Sequence, residues 1–248
     1  MSGDAEAAFA AQVGGLLAAR TPVVVVHGGG PEIDAALAEA GVATERLEGQ
    51  RVTDARTLQI TERVLCGTLN KRLVRSCLAA GVPAVGVSGM DGGMLKARRL
   101  RVAGGDLGYV GDVTQVAPGP LLALLEAGYV PVVAPLALDA AGGHALNVNA
   151  DSSAGAIAAA LRAPALLLVT NVPRVRAFAD DAASGIDRLS LDEARLFAAS
   201  PACTGSMKPK MEAAIRAVAG GVERAYIGNA PLASMLAGDA TEIGAEFT

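Results

Sequence analysis

At 248 residues, 52% hydrophobic and 19% charged, the chain is long enough and apolar enough to bury a full α/β core. Its net charge of −4 and aromatic content of 3% argue against nucleic acid and membrane surfaces as partners. Three scattered cysteines without a CxxC pair point to reduced thiols in the cytoplasm, and two histidines are too few for a multi-histidine metal centre.

No apolar run reaches the length of a membrane span, and no signal peptide opens the chain. Residues 4–19 place Phe9, Val13, Leu16 and Leu17 on one helical face. Val23 to Val26, four β-branched residues in a row, predict a strand buried on both faces. Gly28, Gly29 and Gly30 follow at once, and Pro31 and Glu32 begin a helix over 31–41 that Gly41 closes. Strand, glycine turn and helix N-terminus together form an anion site. Bare backbone N–H groups approach a ligand closely there, and the helix end carries about half a positive charge. A tight turn without a ligand is the plainer alternative. Gly49 marks the next turn, and Thr53 or Asp54 caps a long helix over 55–80.

The strand Val82 to Val87 runs into a second glycine-rich loop, Ser88 to Gly93. Residues 94–116 lack a helical period and read as short hairpin strands; Lys96, Arg98, Arg99 and Arg101 suit a solvated strand better than a polyanion site. A helix from Pro118 to Gly128, a buried strand from Tyr129 to Ala134 and a hairpin turn at 139–143 come next. The helix over 152–162 is apolar nearly all round and is therefore expected to be buried. A strand over 165–170, a polar excursion over 171–187 and a helix from Ser190 or Asp192 to Ala199 follow. The chain then reads as helix 206–219, strand 224–227, helix 231–236 and a last strand 242–247. This alternation predicts an α/β fold with a mostly parallel sheet and helices on both faces; if the chain has two lobes, the break falls near residues 160–165, where one buried helix ends and a new βα series begins.

Five polar clusters stand at predicted strand ends or helix starts, where open α/β sheets bind ligands. They are the glycine loop, Arg51, Ser88 to Gly93, Asn147 to Asp151, and Ser206 to Lys210. The Arg51 guanidinium matches a carboxylate or phosphate, or else makes a surface salt bridge. Asn147, Asn149 and Asp151 face one way on an extended segment, either toward a ligand or as asparagine turns with an Asp helix cap. Lysines at a helix start are unfavourable unless an anion lies nearby, so Lys210 is read as functional and Lys208 as solvated. With no Walker A sequence, GxSxG elbow or HExxH, the remaining chemistry is phosphate handling by position and charge.

Five motifs occur in order: His27-Gly28-Gly29-Gly30-Pro31, Gly49-Gln50-Arg51-Val52-Thr53, Leu107 to Val113, Asn147-Val148-Asn149-Ala150-Asp151, and Ser206-Met207-Lys208-Pro209-Lys210. This order resembles the acetylglutamate kinases of the amino-acid kinase family. The resemblance implies a kinase that passes the γ-phosphoryl of ATP, accompanied by Mg²⁺, to the side-chain carboxylate of N-acetyl-L-glutamate in arginine biosynthesis. It also implies an open αβα sandwich whose first lobe, over 1–162, would bind the acylated amino acid and dimerise, and whose second, over 163–248, would bind ATP. Gly29 and Gly30 would meet the substrate through backbone N–H groups, and Arg51 and Asn147 would hold it. Asp151 would orient the catalytic lysines, and Lys210 would stabilise the transferring phosphoryl. Asn171, Val172, Arg174 and Thr204 would line the nucleotide site, although the family usually has Asp, a small residue and Gly where this chain has Asn171-Val172-Pro173-Arg174.

The family also opens with a strand carrying a catalytic lysine and a Gly-Gly loop. Here Met1-Ser2-Gly3-Asp4 leads straight into the first helix, and no lysine precedes Lys71. Residues upstream of Met1 are expected to supply that strand. A homodimer insensitive to arginine is implied. Relatives acting on aminoadipate or glutamate held by a carrier protein, and a binding remnant without phosphoryl transfer, are the alternatives.

Overall fold

The structure, a computed structural model, describes residues 3–178 and 180–245. The chain divides into two compact units, Met1–Ser153 and Ala154–Thr248.

The first unit opens with α1 (Gly3–Ala18), which buries Ala10, Val13 and Leu16. Then come β1 (Val25–Val26), α2 (Gly30–Glu39), and a two-stranded antiparallel ribbon of β2 (Arg46–Leu47) and β3 (Gln50–Arg51). The helix expected to run unbroken over 55–80 has three parts. Its first part, α3 (Ala55–Glu62), is capped by Asp54, whose carboxylate accepts from the Thr57 N–H at 2.7 Å. A π-helical stretch, Arg63–Leu69, leads into α4 (Asn70–Ala79). Arg72 of α4 bridges Glu6 of α1 at 2.7 Å and Glu32 of α2 at 3.0 Å, so the buried Glu6 carboxylate is paired.

The unit continues with β4 (Ala84–Ser88), β5 (Leu95–Val102), β6 (Gly105–Val116), α5 (Gly119–Glu126), β7 (Val130–Ala134), β8 (Leu136–Asp139), β9 (Ala145–Val148) and the start of α6 (Ala150–Leu161), which from Ala154 on belongs to the second unit. β7 is buried at every residue and lies between β1 and β4 in a parallel sheet. That is the signature of a strand covered on both faces. β1 differs from expectation. Only Val25 and Val26 pair, Val25 alone of the four valines is buried, and β1 pairs only with β7 among the described residues. An edge strand with one ladder keeps fewer residues in register.

β5, β6, β9 and β8 close into a small barrel. Each hairpin follows from its turn residues, but the parallel pairings β5–β8 and β6–β9 that close the barrel join distant segments and carry no local signal. Lys96 to Arg101 lie on β5. There Arg98 pairs with Asp112 at 3.6 Å and Arg99 with Asp139 at 3.8 Å, and the Arg99 guanidinium lies 4.4 Å from the Tyr109 ring centroid. This strand is solvated and partly neutralised, as its spacing predicts. Thr53 is sewn to the barrel. Its N–H donates to the Leu107 carbonyl at 3.0 Å, and its carbonyl accepts from the Tyr109 N–H at 2.7 Å.

The second unit holds β10 (Ala165–Val169), β11 (Arg188–Ser190), α7 (Leu191–Ala199), α8 (Met207–Ala219), β12 (Arg224–Gly228), α9 (Leu232–Leu236) and β13 (Thr241–Gly244). Its sheet runs β10-β12-β13-β11, with β12 and β13 antiparallel and the other pairs parallel. Period-two alternation sorts the side chains. Leu166, Leu168, Ala225 and Ile227 pack with Met211, Ala214 and Ala217 of α8, whereas Leu167 and Tyr226 pack with Met235 and Leu236 of α9. Helices therefore cover both faces of this sheet, the αβα layering expected. Ser190 caps α7 in a full capping box with Glu193. The expected last strand ends at Gly244, and its residues 246–247 lie outside the described residues.

Gly108 has φ of +66°, and a Cβ there would lie 2.4 Å from the Thr53 carbonyl oxygen. Gly108→Ala therefore combines left-handed strain with a backbone clash. It is expected to destabilise the chain by about 2 kcal/mol or more, read as a lower urea midpoint.

Candidate active site

The carboxyl ends of β1, β7 and β4 lie together because the three strands are parallel, and the loops after them form one rim. The glycine loop follows β1. Gly29 is the N-cap of α2 with φ of 178°, an extended backbone open to any residue, so conformation does not select glycine there. Packing does: a Cβ on Gly29 would lie 2.2 Å from Leu69 Cδ1, in the π-helical stretch. Around Gly30 no atom lies within 4 Å of a built Cβ, so its outer side is open. No side chain caps α2, and Glu32 stands in its first turn.

Arg51 is only 7% exposed and is therefore no surface residue. One guanidinium nitrogen, Nη1, makes a close ion pair with Asp34 of α2, and Nη2 donates to the Gly30 carbonyl at 3.2 Å. Arg46 joins the same carboxylate at 3.0 Å. The Arg51 guanidinium, with a smaller contribution from Arg46, holds the Asp34 carboxyl below the usual carboxylate range. Asn147 arrives from β9, and its Nδ2 donates to Thr53 Oγ1 at 3.4 Å; that hydroxyl in turn donates to the Arg51 carbonyl at 2.9 Å. Gly30, Arg51 and Asn147, read separately from the sequence, thus belong to one hydrogen-bonded group. Asp34 and Thr53 were not legible as members. An aspartate on a helix and a threonine in a loop have many uses, and only the tertiary contacts single these out.

The cap of α6 differs from expectation. Asn149, not an aspartate, holds the helix start, its Oδ1 accepting from the Ser152 N–H at 3.0 Å. Asp151 lies in the first turn of α6. In the same unit the Cys66 thiol is pushed up to about 11, chiefly by burial and further by Glu62 and Asp91, which favours the protonated thiol at neutral pH.

In the second unit the loop after β10 meets the loop after β12. Asn229 Nδ2 donates to the Asn171 carbonyl at 3.4 Å, and a Cβ on Gly228 would lie 2.8 Å from the Pro173 carbonyl oxygen. Val172 lies within this crossing loop. Arg174 is committed to the fold, paired with Asp187 at 2.8 Å and Asp239 at 3.6 Å. It lines a cavity of about 240 Å³ together with Pro173, Arg176, Gly185 and Asp187. Thr204 lies two residues before Ser206, the N-cap of α8. No side chain caps α8 and its first turn holds no acid, while Lys208 is exposed and Lys210 half-buried. This helix start is electropositive and suits phosphate oxygens. Among the described residues no three His, Cys, Asp or Glu side chains cluster as a metal site, and no helix is long and apolar enough to cross a membrane.

The sequence pattern of the amino acid kinase family matches residues 1–229. The chain belongs to the amino acid kinase family. This amino acid kinase is 46% identical over 210 residues to the acetylglutamate kinase of Methanopyrus kandleri, covering 83% of this chain and 85% of that one. It is 43% identical over 210 residues to the acetylglutamate kinase of Symbiobacterium thermophilum, covering 82% and 71% respectively. Among solved structures, smu.665 from Streptococcus mutans matches with a TM-score of 0.82 at 29% identity, over 99% of this amino acid kinase and 94% of that chain.

The Asp34–Arg51 pair has a defined pH signature. A depressed carboxyl pKa contributes stability that is fully present above the ordinary value of 3.8 and is lost as pH falls through the folded value. Asp34→Asn should therefore lower the thermal midpoint at pH 7, and the gap to the unaltered chain should close below pH 3.8 in melts recorded across that range.

Proposed function

We propose that this amino acid kinase is an ATP-dependent acetylglutamate kinase, transferring the γ-phosphoryl of ATP to the side-chain carboxylate of N-acetyl-L-glutamate in arginine biosynthesis. The observation that carries the reading is the buried Arg51, fixed by Asp34 and the Gly30 carbonyl beside the open outer side of the glycine loop. A guanidinium carries five donors in a rigid fork and suits a ligand carboxylate. Relatives at 43% and 46% identity bear the name of this activity.

An ionised carboxylate acceptor needs no general base at neutral pH, because its proton is already gone. The protein's task reduces to positioning and charge. Arg51 and Asn147 hold the amino acid, and Gly29 and Gly30 offer N–H groups to the reacting end. Lys210 stabilises the transferring phosphoryl, and the role of orienting the catalytic lysines is assigned to Asp151. Asn171, Val172, Arg174 and Thr204 border the nucleotide, the Arg174 charge being balanced by Asp187 and Asp239. The electropositive start of α8 fits the nucleotide's phosphates. Mg²⁺ would be bound chiefly by phosphate oxygens, as is usual for this ion, and would neutralise their charge. The first unit serves the amino acid and the second the nucleotide. A homodimer belongs to the same reading, and light scattering should then give twice the chain mass.

A coupled ADP-release assay should show turnover that requires N-acetyl-L-glutamate; turnover with carbamate or free glutamate in its place would overturn the assignment. Arg51→Lys keeps the charge and loses the fork, and should raise KM for N-acetyl-L-glutamate by about tenfold or more. Lys210→Ala should lower kcat on the order of 100-fold with KM little changed.

A further inference from the structure

His27 sits between β1 and the glycine loop, and Asn70 is the first residue of α4; both are buried. The Asn70 Nδ2 lies 2.8 Å from the Val132 carbonyl oxygen, and 3.3 Å from both the Val87 carbonyl oxygen and His27 Nε2. Its Oδ1 lies 3.2 Å from Lys71 Nζ. Carbonyl oxygens only accept, and an ammonium only donates. The amide orientation is therefore determined: nitrogen toward β4 and β7, oxygen toward Lys71. An NH₂ group facing Nε2 leaves that ring nitrogen only the acceptor role. The proton of the neutral imidazole then belongs on Nδ1, which lies 3.0 Å from the Gly28 carbonyl oxygen. Burial, the largest influence on this ring, favours the neutral form, against smaller opposing effects of the Gly28 carbonyl and Glu32.

Asn70 has two amide hydrogens for three acceptors, so at least one is shared; its nitrogen cannot accept from Nε2, and the donation of His27 runs to Gly28. Peptide bonds in the described chain are trans. Holding the Gly28 carbonyl toward the imidazole thus turns the N–H of the same peptide, that of Gly29, to the opposite side. We propose that His27 and Asn70 are positioning residues which fix the Gly28–Gly29 peptide so that the Gly29 N–H faces the acceptor carboxylate and the transferring phosphoryl. Neither touches substrate. The inference rests on the kinase reading and adds to it the device that aims the glycine loop. Alternative peptide orientations would point a carbonyl oxygen at an anion. A glycine loop is free to adopt them unless something holds it.

Two readouts test this on the full chain. In a long-range ¹H–¹⁵N spectrum at pH 7 there are only two imidazoles, and His144→Gln assigns the His27 signals. The expected pattern is a protonated Nδ1 and a bare Nε2; the opposite tautomer, or an imidazolium, overturns the proposal whether or not the chain turns over. In the ADP-release assay, His27→Asn places a donor near the Nδ1 position and should stay within about tenfold of the unaltered kcat. His27→Gln reaches the Nε2 position, leaves the Gly28 carbonyl without a donor, and should lose on the order of 100-fold in kcat with KM little changed. Equal kcat in two folded variants overturns this inference alone. Absence of both turnover and N-acetyl-L-glutamate binding in the unaltered chain overturns the kinase reading and this inference with it. If both variants fail to fold, the tautomer decides.

Discussion

The first unit depends on one buried guanidinium. Arg51 belongs to a two-residue strand that could not hold its place by ladder bonds alone. A charge taken that far out of water must be paired and hydrogen-bonded, or it is severely destabilising. Asp34 and the Gly30 carbonyl meet that demand. In doing so they tie the ribbon to α2 and to the glycine loop, while Thr53 ties the same ribbon to the barrel. Four pieces of local structure become one platform through the Arg51 side chain and the Thr53 backbone. The electrostatic need of Arg51 and the geometric need of the loop are satisfied by the same contacts.

The second unit solves a different problem. A parallel sheet carries its loops at one end, and here the loops after β10 and β12 cross closely enough that Gly228 has no room for a side chain. Arg174, which would otherwise bring a free cation into this rim, is balanced by two aspartates. Positive character lies at the start of α8, which has neither a capping side chain nor an acid in its first turn. One rim is shaped by close backbone approach, and the other by the positive end of a helix.

Much of this was legible in the sequence, for physical reasons that can be named. Val130 to Ala134 is apolar throughout and lies at the centre of its sheet, where both faces need covering. Leu166 to Leu168 sort between α8 and α9 by the period of two that any strand imposes. Gly30 stood out as one of three glycines after a strand, and Arg51 and Asn147 as polar residues clustered with it at predicted strand ends and turns, although each alone also had a plain structural reading. Other features rested on pairings between distant segments, which leave no local trace. The closure of the barrel, the partnership of Asp34 with Arg51 and the role of Thr53 are of this kind. The capping of α6 by Asn149 shows a narrower limit: Asn and Asp are equally good caps, and composition alone does not choose between them. The edge position of β1 shows another, since four valines state a preference for strand but not how many neighbours the strand will find.

The π-helical stretch Arg63–Leu69 lies between two regular helices that share one axis of sequence but not one phase. A π turn takes in an additional residue, and each residue of an α-helix advances by about 100° around its axis. Closing that stretch into regular helix would leave α3 where Asp54 caps it but rotate α4 by about 100°, more than a quarter of a turn. Asn70 would then leave the carbonyls of β4 and β7, and Arg72 would leave Glu6 and Glu32. Leu69 would no longer fill the space that the absent side chain of Gly29 provides. The spacing between Asp54 and Asn70 is thus an integer constraint on the chain: substitutions in this helix change energies by degrees, whereas gain or loss of one residue changes which face of α4 meets the sheet.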